Sequence, residues 1–228
     1  MLVHIPEVLN SELLASFRAR LTAAGSAWVS GLATAGRQGA HVKHNQQLDE
    51  NSALAIELGD IVLRRLERNP MFISAALPER VYPPLFNRYA GGDHFGWHID
   101  NAIRQAPGSG RKLRTDVSAT LFLSEPGSYS GGELQIQDTY GLQSVKPVAG
   151  DLILYPATSL HQVTPVTAGE RLACFFWVHS MVNDDLQRRL LFDLDMTIGR
   201  LRAQLGDTAE VLALTNHYHN LLRQWARL

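Results

Sequence analysis

A chain of 228 residues with 45 % apolar and 19 % charged side chains is long enough for one real core with an appendage. With 21 basic against 22 acidic residues its formal net charge is −1, so composition gives no general pull toward nucleic acid or an anionic membrane. Its one cysteine, Cys174, lies in the apolar run from Leu172 to Val178 and has no internal disulfide partner, which fits a buried small hydrophobe in a reducing compartment. The N-terminus lacks a basic segment leading into a long apolar one, and no run approaches the ~18 apolar residues of a membrane span. The expected location is therefore the cytoplasm.

Residues 2 to 5 read as a short edge strand closed by Pro6. A helix is expected from Ser11 to Ala24, with Leu13, Leu14, Phe17 and Leu21 at helical spacing and Asn10 or Ser11 as cap. Gly31 to His44 is glycine-rich and basic, and its His41 and His44 read as surface-loop residues because no carboxylate or third ligand accompanies them. A second helix from Asn51 to Arg68 carries Leu54, Leu58, Ile61, Val62 and Leu66 on one side, with Asn69-Pro70 as its stop. Beyond it the period changes, and Met71 to Leu77 and Arg80 to Tyr89 read as strands.

The stretch from Asn87 to Asp100 interleaves apolar and polar residues with three glycines. It reads as a strand, a glycine-eased turn and a second extended piece carrying His98 and Asp100. Side chains two apart in an extended chain share a face, so this imidazole and carboxylate point together while Ile99 turns the other way into packing. His161, after the apolar run from Asp151 to Pro156, completes a candidate metal set with two histidines and one carboxylate. That set suits Fe, Mn, Co or Zn, and in a facial arrangement it leaves three positions open. His94 lies outside the spacing and reads as a pocket-lining or surface residue.

Asn101 to Lys112 reads as a mobile loop around Pro107 to Gly110. Strands are then expected at 113–124, 133–137, 142–148, 151–155, 161–166 and 171–179. Turns are marked by Pro126-Gly127, Gly131-Gly132, Tyr140-Gly141, Gly150-Asp151 and Ala168-Gly169. This close antiparallel spacing predicts a jelly-roll, or double-stranded β-helix. After Val182 the pattern is helical again. Leu186, Leu190, Leu191, Leu194, Ile198 and Leu201 form one face, and a cap at Asp207 to Glu210 opens a last helix with Val211, Leu212, Tyr218, Leu222 and Trp225 inward. His217 and His219 fall on that helix's polar face. The expected organisation is an N-terminal helical region at 1–79, a jelly-roll at 80–180 and a C-terminal helical pair at 181–228, giving a mainly β chain with flanking helices. That pair is a natural homodimer surface.

Two motifs carry a family resemblance. Tyr89, Gly92, Phe95, His98 and Asp100 fit one, and His161, Pro165, Val166, Gly169 and Arg171 fit the other. Together they resemble the prolyl 4-hydroxylase branch of the Fe(II)/2-oxoglutarate dioxygenases, and Arg171, where collagen-type enzymes carry Lys, is similar to the bacterial PKHD-type hydroxylases. The resemblance selects iron as the metal at His98, Asp100 and His161. It also implies that Arg171 binds the distal carboxylate of 2-oxoglutarate, that the Tyr89 hydroxyl contacts the same cosubstrate, and that the core is a jelly-roll. The implied reaction couples decarboxylation of 2-oxoglutarate to succinate and CO2 with dioxygen-dependent hydroxylation of an unactivated C–H bond, with ascorbate as an auxiliary.

The resemblance suggests a prolyl-type protein or peptide hydroxylase. A small-molecule hydroxylase, for example one acting on an iron-chelating metabolite, stays open. So does a non-catalytic, cupin-like iron-binding regulator, which would have no use for Arg171. A Zn or Mn hydrolase lacks an evident general base beside the triad. The cations Arg104, Arg111, Lys112 and Arg114 follow directly on the metal motif and form a candidate lid favouring an acidic or acyl-bearing substrate.

Overall fold

The computed structural model describes residues 1–34, 41–105, 110–139 and 141–228. Strand β1 (Val3–Ile5) leads into helix α1 (Ser11–Thr22), where the Asn10 side chain accepts from the Leu13 amide and Leu14, Phe17 and Leu21 are buried. Three short strands follow, β2 (Trp28–Ser30), β3 (Lys43–His44) and β4 (Gln46–Leu48). The loop expected from Gly31 to His44 thus ends in β3. Its glycine-rich part at 35–40 lies outside the described residues. Pieces of two or three residues are too short to show a period of two, so pairing with later strands defines them. Helix α2 (Ala53–Leu66), capped by Ser52, buries Leu58, Val62 and Leu66.

The strand expected at Met71 to Leu77 is instead helix α3 (Pro70–Ala76). Asn69-Pro70 does end α2, but it also starts the next helix. The Asn69 side chain accepts from the Phe72 amide, and Pro70 sits in the first turn, where its missing N–H is no loss. The strand expected at Arg80 to Tyr89 is broken by Pro83-Pro84 into β5 (Pro78–Val81) and β6 (Leu85–Ala90). Next come β7 (His94–His98), β8 (Ile103–Gln105), β9 (Lys112–Arg114), β10 (Val117–Phe122), β11 (Tyr129–Gly131) and β12 (Leu134–Asp138). They are followed by β13 (Gly141–Val145), β14 (Leu152–Pro156), β15 (His161–Val163) and β16 (Val166–Ser180). The loop expected at 101–112 therefore contains β8, paired antiparallel with β9, while 106–109 lie outside the described residues. So does Tyr140 of the Tyr140-Gly141 turn. Ala168-Gly169 is no turn between strands. It lies inside the 15-residue β16, where Gly169 takes φ +72° and an added Cβ would stand 2.2 Å from the Ser128 carbonyl oxygen of the crossing chain.

The larger sheet runs β1-β14-β10-β16-β6-β4-β2, with β5 and β11 also pairing to β16. The smaller runs β13-β12-β15-β7-β3. Strands alternate their side chains between faces, and β16 shows the consequence. Leu172, Cys174, Phe176 and Val178 join a core with Phe17, Leu21, Leu58, Val62 and Phe72 from the helices. Arg171, Phe175 and Trp177 turn toward the smaller sheet and line a cavity. A second core of Tyr89, Phe122, Ile153 and Tyr155 against Leu134, Ile136 and Val163 closes the two sheets on each other as a jelly-roll.

The C-terminal pair is α4 (Asp185–Leu205) and α5 (Ala209–Trp225), with Thr208 as the cap whose side chain accepts from the Val211 amide. Leu191, Tyr218, Leu222 and Trp225 pack with Leu77 and Val182. Leu186, Leu190 and Leu212, expected on inward faces, are exposed. The buried stripe is narrower than the sequence period indicated.

Candidate active site

Antiparallel pairing of β7 with β15 places His98 directly opposite His161, with ring centroids 4.2 Å apart. Asp100 follows just after β7 ends. Its Oδ2 lies 3.7 Å from His161 Nε2, and one ligand atom from each of the three residues falls within 4.8 Å of the others. Both histidines are buried. His98 Nδ1 is 2.7 Å from the Gly96 carbonyl oxygen and His161 Nδ1 is 3.0 Å from that of Ser159. A carbonyl only accepts, so each Nδ1 carries the proton and each Nε2 keeps its lone pair for a metal. Ser118 Oγ donates to Asp100 Oδ2 at 2.6 Å and orients the carboxylate. Burial, followed by the neighbouring charge of His161, holds the His98 pKa down at about 4, so this imidazole is neutral near pH 7. Ile99 does not turn into packing as expected. It is 52 % exposed at the cavity mouth.

Arg171 lines the same cavity, only 1 % exposed, with its guanidinium over the rings of Tyr89 and Phe122. Its Nε and Nη2 make no hydrogen bond among the described atoms. The Tyr129 hydroxyl feels the Arg171 charge, but the two make no well-aligned hydrogen bond. A buried cation with unused donors is costly unless an anion joins it, and the guanidinium fork matches a carboxylate. The approach is close. At Gly132, φ +68°, an added Cβ would stand 3.0 Å from Arg171 Cδ. Tyr89 is fully buried and accepts from Asn87 Nδ2, and burial pushes its pKa up to about 12 despite Arg171, so the phenol stays protonated. The triad, Arg171 and Tyr89, named separately from the sequence, thus border one cavity that opens to solvent.

Of the four cations expected in a lid, only Arg104 lines the cavity. Arg114 forms a two-pronged pair with Asp116 at 2.6 and 3.0 Å, and Arg111 and Lys112 are exposed. His94 packs its ring on His44, away from the triad, while His41, His217 and His219 are exposed. Sequence reasoning missed Ser118, Thr120, Asn87, Tyr155 and Lys43, all of which line the cavity. Ser118 and Thr120 had a signal, as alternate polar residues in an otherwise apolar strand. Lys43, at the end of an irregular stretch, had none.

Residues 84–179 match the family model of the 2OG-Fe(II) oxygenase superfamily, and residues 185–227 match that of the PKHD-type hydroxylase C-terminal domain. A PKHD-type hydroxylase of Paraburkholderia phytofirmans is 61 % identical over 226 residues, 99 % of each chain. One of Saccharophagus degradans is 61 % identical over 227 residues, all of both chains. Among solved structures, a Pseudomonas putida prolyl-4-hydroxylase superposes with a TM-score of 0.54 at 20 % identity, covering 78 % of this chain and 92 % of its own. HygX of Streptomyces hygroscopicus, solved with nickel, 2-oxoglutarate and hygromycin B, gives 0.52 at 17 %, covering 78 % and 82 %. At these identities the structures establish the fold alone.

Proposed function

The chain belongs to the PKHD-type hydroxylase family of 2OG-Fe(II) oxygenases, and from that premise we propose which residues carry the activity and on what class of substrate. His98, Asp100 and His161 hold Fe(II), and Arg171 takes the distal carboxylate of 2-oxoglutarate with Tyr89 beside it. The donor set fits the group, since two imidazoles and a carboxylate converge with second partners already satisfied. Iron held by these residues would supply the coupling by which dioxygen oxidatively decarboxylates 2-oxoglutarate, one oxygen atom entering succinate as CO2 leaves and the other entering an unactivated C–H bond. The chain's own work is orientation and exclusion of water. Arg171 and Tyr89 fix one end of the cosubstrate, Ser118 and the Gly96 and Ser159 carbonyls fix the ligands, and Phe95, stacked 3.4 Å from the His98 ring, shields one side. The observation that carries the reading is the buried Arg171 guanidinium with unused donors on the same cavity as the triad.

For substrate we propose a prolyl-type residue in a protein or peptide, a reading supported by the likeness to the Pseudomonas putida prolyl-4-hydroxylase. The second reading is a small molecule, favoured by the similar fold of HygX, whose structure holds hygromycin B. A reducing, cytoplasmic setting suits ferrous iron and the buried thiol of Cys174, and ascorbate is proposed as the auxiliary reductant that rescues uncoupled turnover.

Anaerobic addition of Fe(II) and 2-oxoglutarate, followed by oxygen, tests this. A visible charge-transfer band and then succinate are expected, with ascorbate prolonging turnover. Iron binding without the band would leave a metal-binding module and remove the cosubstrate role from Arg171. Once the band is established, prolyl peptides and small-molecule pools are compared for the acceleration of succinate release.

A further inference from the structure

Two more cations border the cavity, and cosubstrate binding as proposed above uses neither. Lys43 is only 4 % exposed, with its ammonium 5.2 Å from the Phe95 ring centroid and 5.8 Å from that of Phe175, and it reaches Gln47 Oε1 at 3.5 Å. The Arg104 guanidinium lies 3.9 Å over the Trp177 ring and 5.1 Å from that of Tyr82, and its Nε is buried without a hydrogen-bond partner among the described atoms. Tyr82 feels both Arg104 and Glu50, so the aromatic pair orients the guanidinium from behind.

Their place in the cavity separates them from Arg171. Arg171 and Trp177 share the inward face of β16, and six residues of strand set them roughly 20 Å apart. The cross-strand partner of Trp177 is Ser118, which holds Asp100. Along β16, Arg171 lies at one end of the cavity-lining face, and Phe175 and Trp177, the aromatics beneath Lys43 and Arg104, lie toward the other. The chain has drawn two like charges into one partly dry wall, where burial first and then the charge of Arg104 lower the Lys43 pKa to about 8. Asp100 opposes them, but its carboxylate is committed to the metal set. Two cations bordering one ligand cavity, one of them stacked and aimed by aromatics, are arranged as oxyanion receptors are.

We propose that Lys43 and Arg104 form a second oxyanion site, so that the molecule hydroxylated here carries a carboxylate or phosphate close to the C–H bond it presents to the metal. The inference rests on the oxygenase reading above and narrows its substrate class to anionic molecules or acidic peptide segments. Exposed Ile99 at the mouth receives an apolar part of the same substrate.

Calorimetric titration of the Zn(II)- and 2-oxoglutarate-loaded full chain tests it with three probes. These are inorganic phosphate, a Glu-Pro dipeptide with both termini blocked, and its blocked Gln-Pro twin. At least one anionic probe is expected to saturate, and the neutral twin to bind at least tenfold more weakly. Lys43→Met and Arg104→Met should each weaken the anionic probe tenfold or more, and Arg104→Lys should restore most of that loss. Phosphate binding without Glu-Pro binding would assign the site to phosphorylated substrates, and the converse to carboxylates. The proposal is overturned if no probe saturates, if the neutral twin binds equally well, or if both methionine variants bind as wild type does. Arg104→Met decides the matter should Lys43→Met fail to fold. The 2-oxoglutarate titration of the wild type is read separately. If it fails, the cosubstrate role of Arg171 falls, while probe titrations of the metal-free chain still judge the Lys43 and Arg104 site.

Discussion

Arg171 carries a permanent charge at 1 % exposure with Nε and Nη2 unpaired, so its value to the protein lies in what it binds. Arg171→Met keeps most of the side-chain volume and removes the fork. It is expected to weaken 2-oxoglutarate by about 10- to 100-fold, the worth of a charge-assisted pair, without changing metal affinity. Titration of the charge-transfer band in both proteins measures this, and an unchanged 2-oxoglutarate affinity would remove the residue from the site. His98 makes a pH argument at the same scale. Its folded pKa of about 4 lies below the ordinary imidazole value, so the folded metal-free protein resists taking up a proton that the unfolded chain accepts. The corresponding stability is fully present above about pH 6.5 and is lost as pH falls toward 4, up to about 3 kcal/mol in all. Denaturant midpoints of the metal-free protein should fall over that window, and His98→Gln should flatten the dependence. A wild-type midpoint that holds steady from pH 7 to 4.5 would contradict the buried, neutral imidazole.

The turn between β11 and β12 shows how an element sets a residue. Gly132 takes φ +68°, and a Cβ there would stand 2.8 Å from Val166 Cγ2 and 2.9 Å from Tyr129 Cε2 as well as against Arg171. Gly132→Ala is therefore expected to cost about 1–2 kcal/mol from the backbone alone and to displace the guanidinium. Thermal unfolding and 2-oxoglutarate affinity should fall together, whereas an affinity loss with unchanged stability would place the effect in side-chain contact only. That turn was legible as Gly131-Gly132, and so were most of the strands of the two sheets, because alternation over five or six residues is a strong signal. The triad was legible because spacing of two puts His98 and Asp100 together and a family-like surround marks His161. Local patterns failed where a short signal carries two meanings. Asn69-Pro70 ends one helix and starts another, and Met71 to Leu77 is apolar enough for either state. Lys43 escaped because its role comes from the pairing of β3 with β7, a contact between distant segments that no local period records.

At the scale of the whole molecule, the C-terminal helices join the barrel through the packing of Leu191, Tyr218, Leu222 and Trp225 with Leu77 and Val182, and one buried cation fixes the junction. Arg188, 2 % exposed at the start of α4, donates from Nη1 to the Val182 and Asn183 carbonyls at 2.7 and 3.1 Å and from Nη2 to Asp185 at 3.1 Å. Asp185 also meets the N-terminal ammonium of Met1 at 2.9 Å, and the Arg227 amide donates to the Met181 carbonyl. The two ends of the chain thus meet where β16 gives way to the helices, far along that strand from Arg171. Replacing Arg188 with Met fills the space but leaves the Val182 carbonyl buried and Asp185 with fewer partners. The expected loss is about 2–4 kcal/mol, or a fall in Tm of roughly 5–12 °C for a chain of this size. Because neither the triad nor Arg171 touches α4 or α5 through any of these bonds, the folded variant should bind metal and 2-oxoglutarate as wild type does. Scanning calorimetry with a 2-oxoglutarate titration at low temperature separates the two effects. A folded Arg188→Met protein that had lost 2-oxoglutarate binding would mean that the helical pair shapes the cavity as well as steadying the barrel.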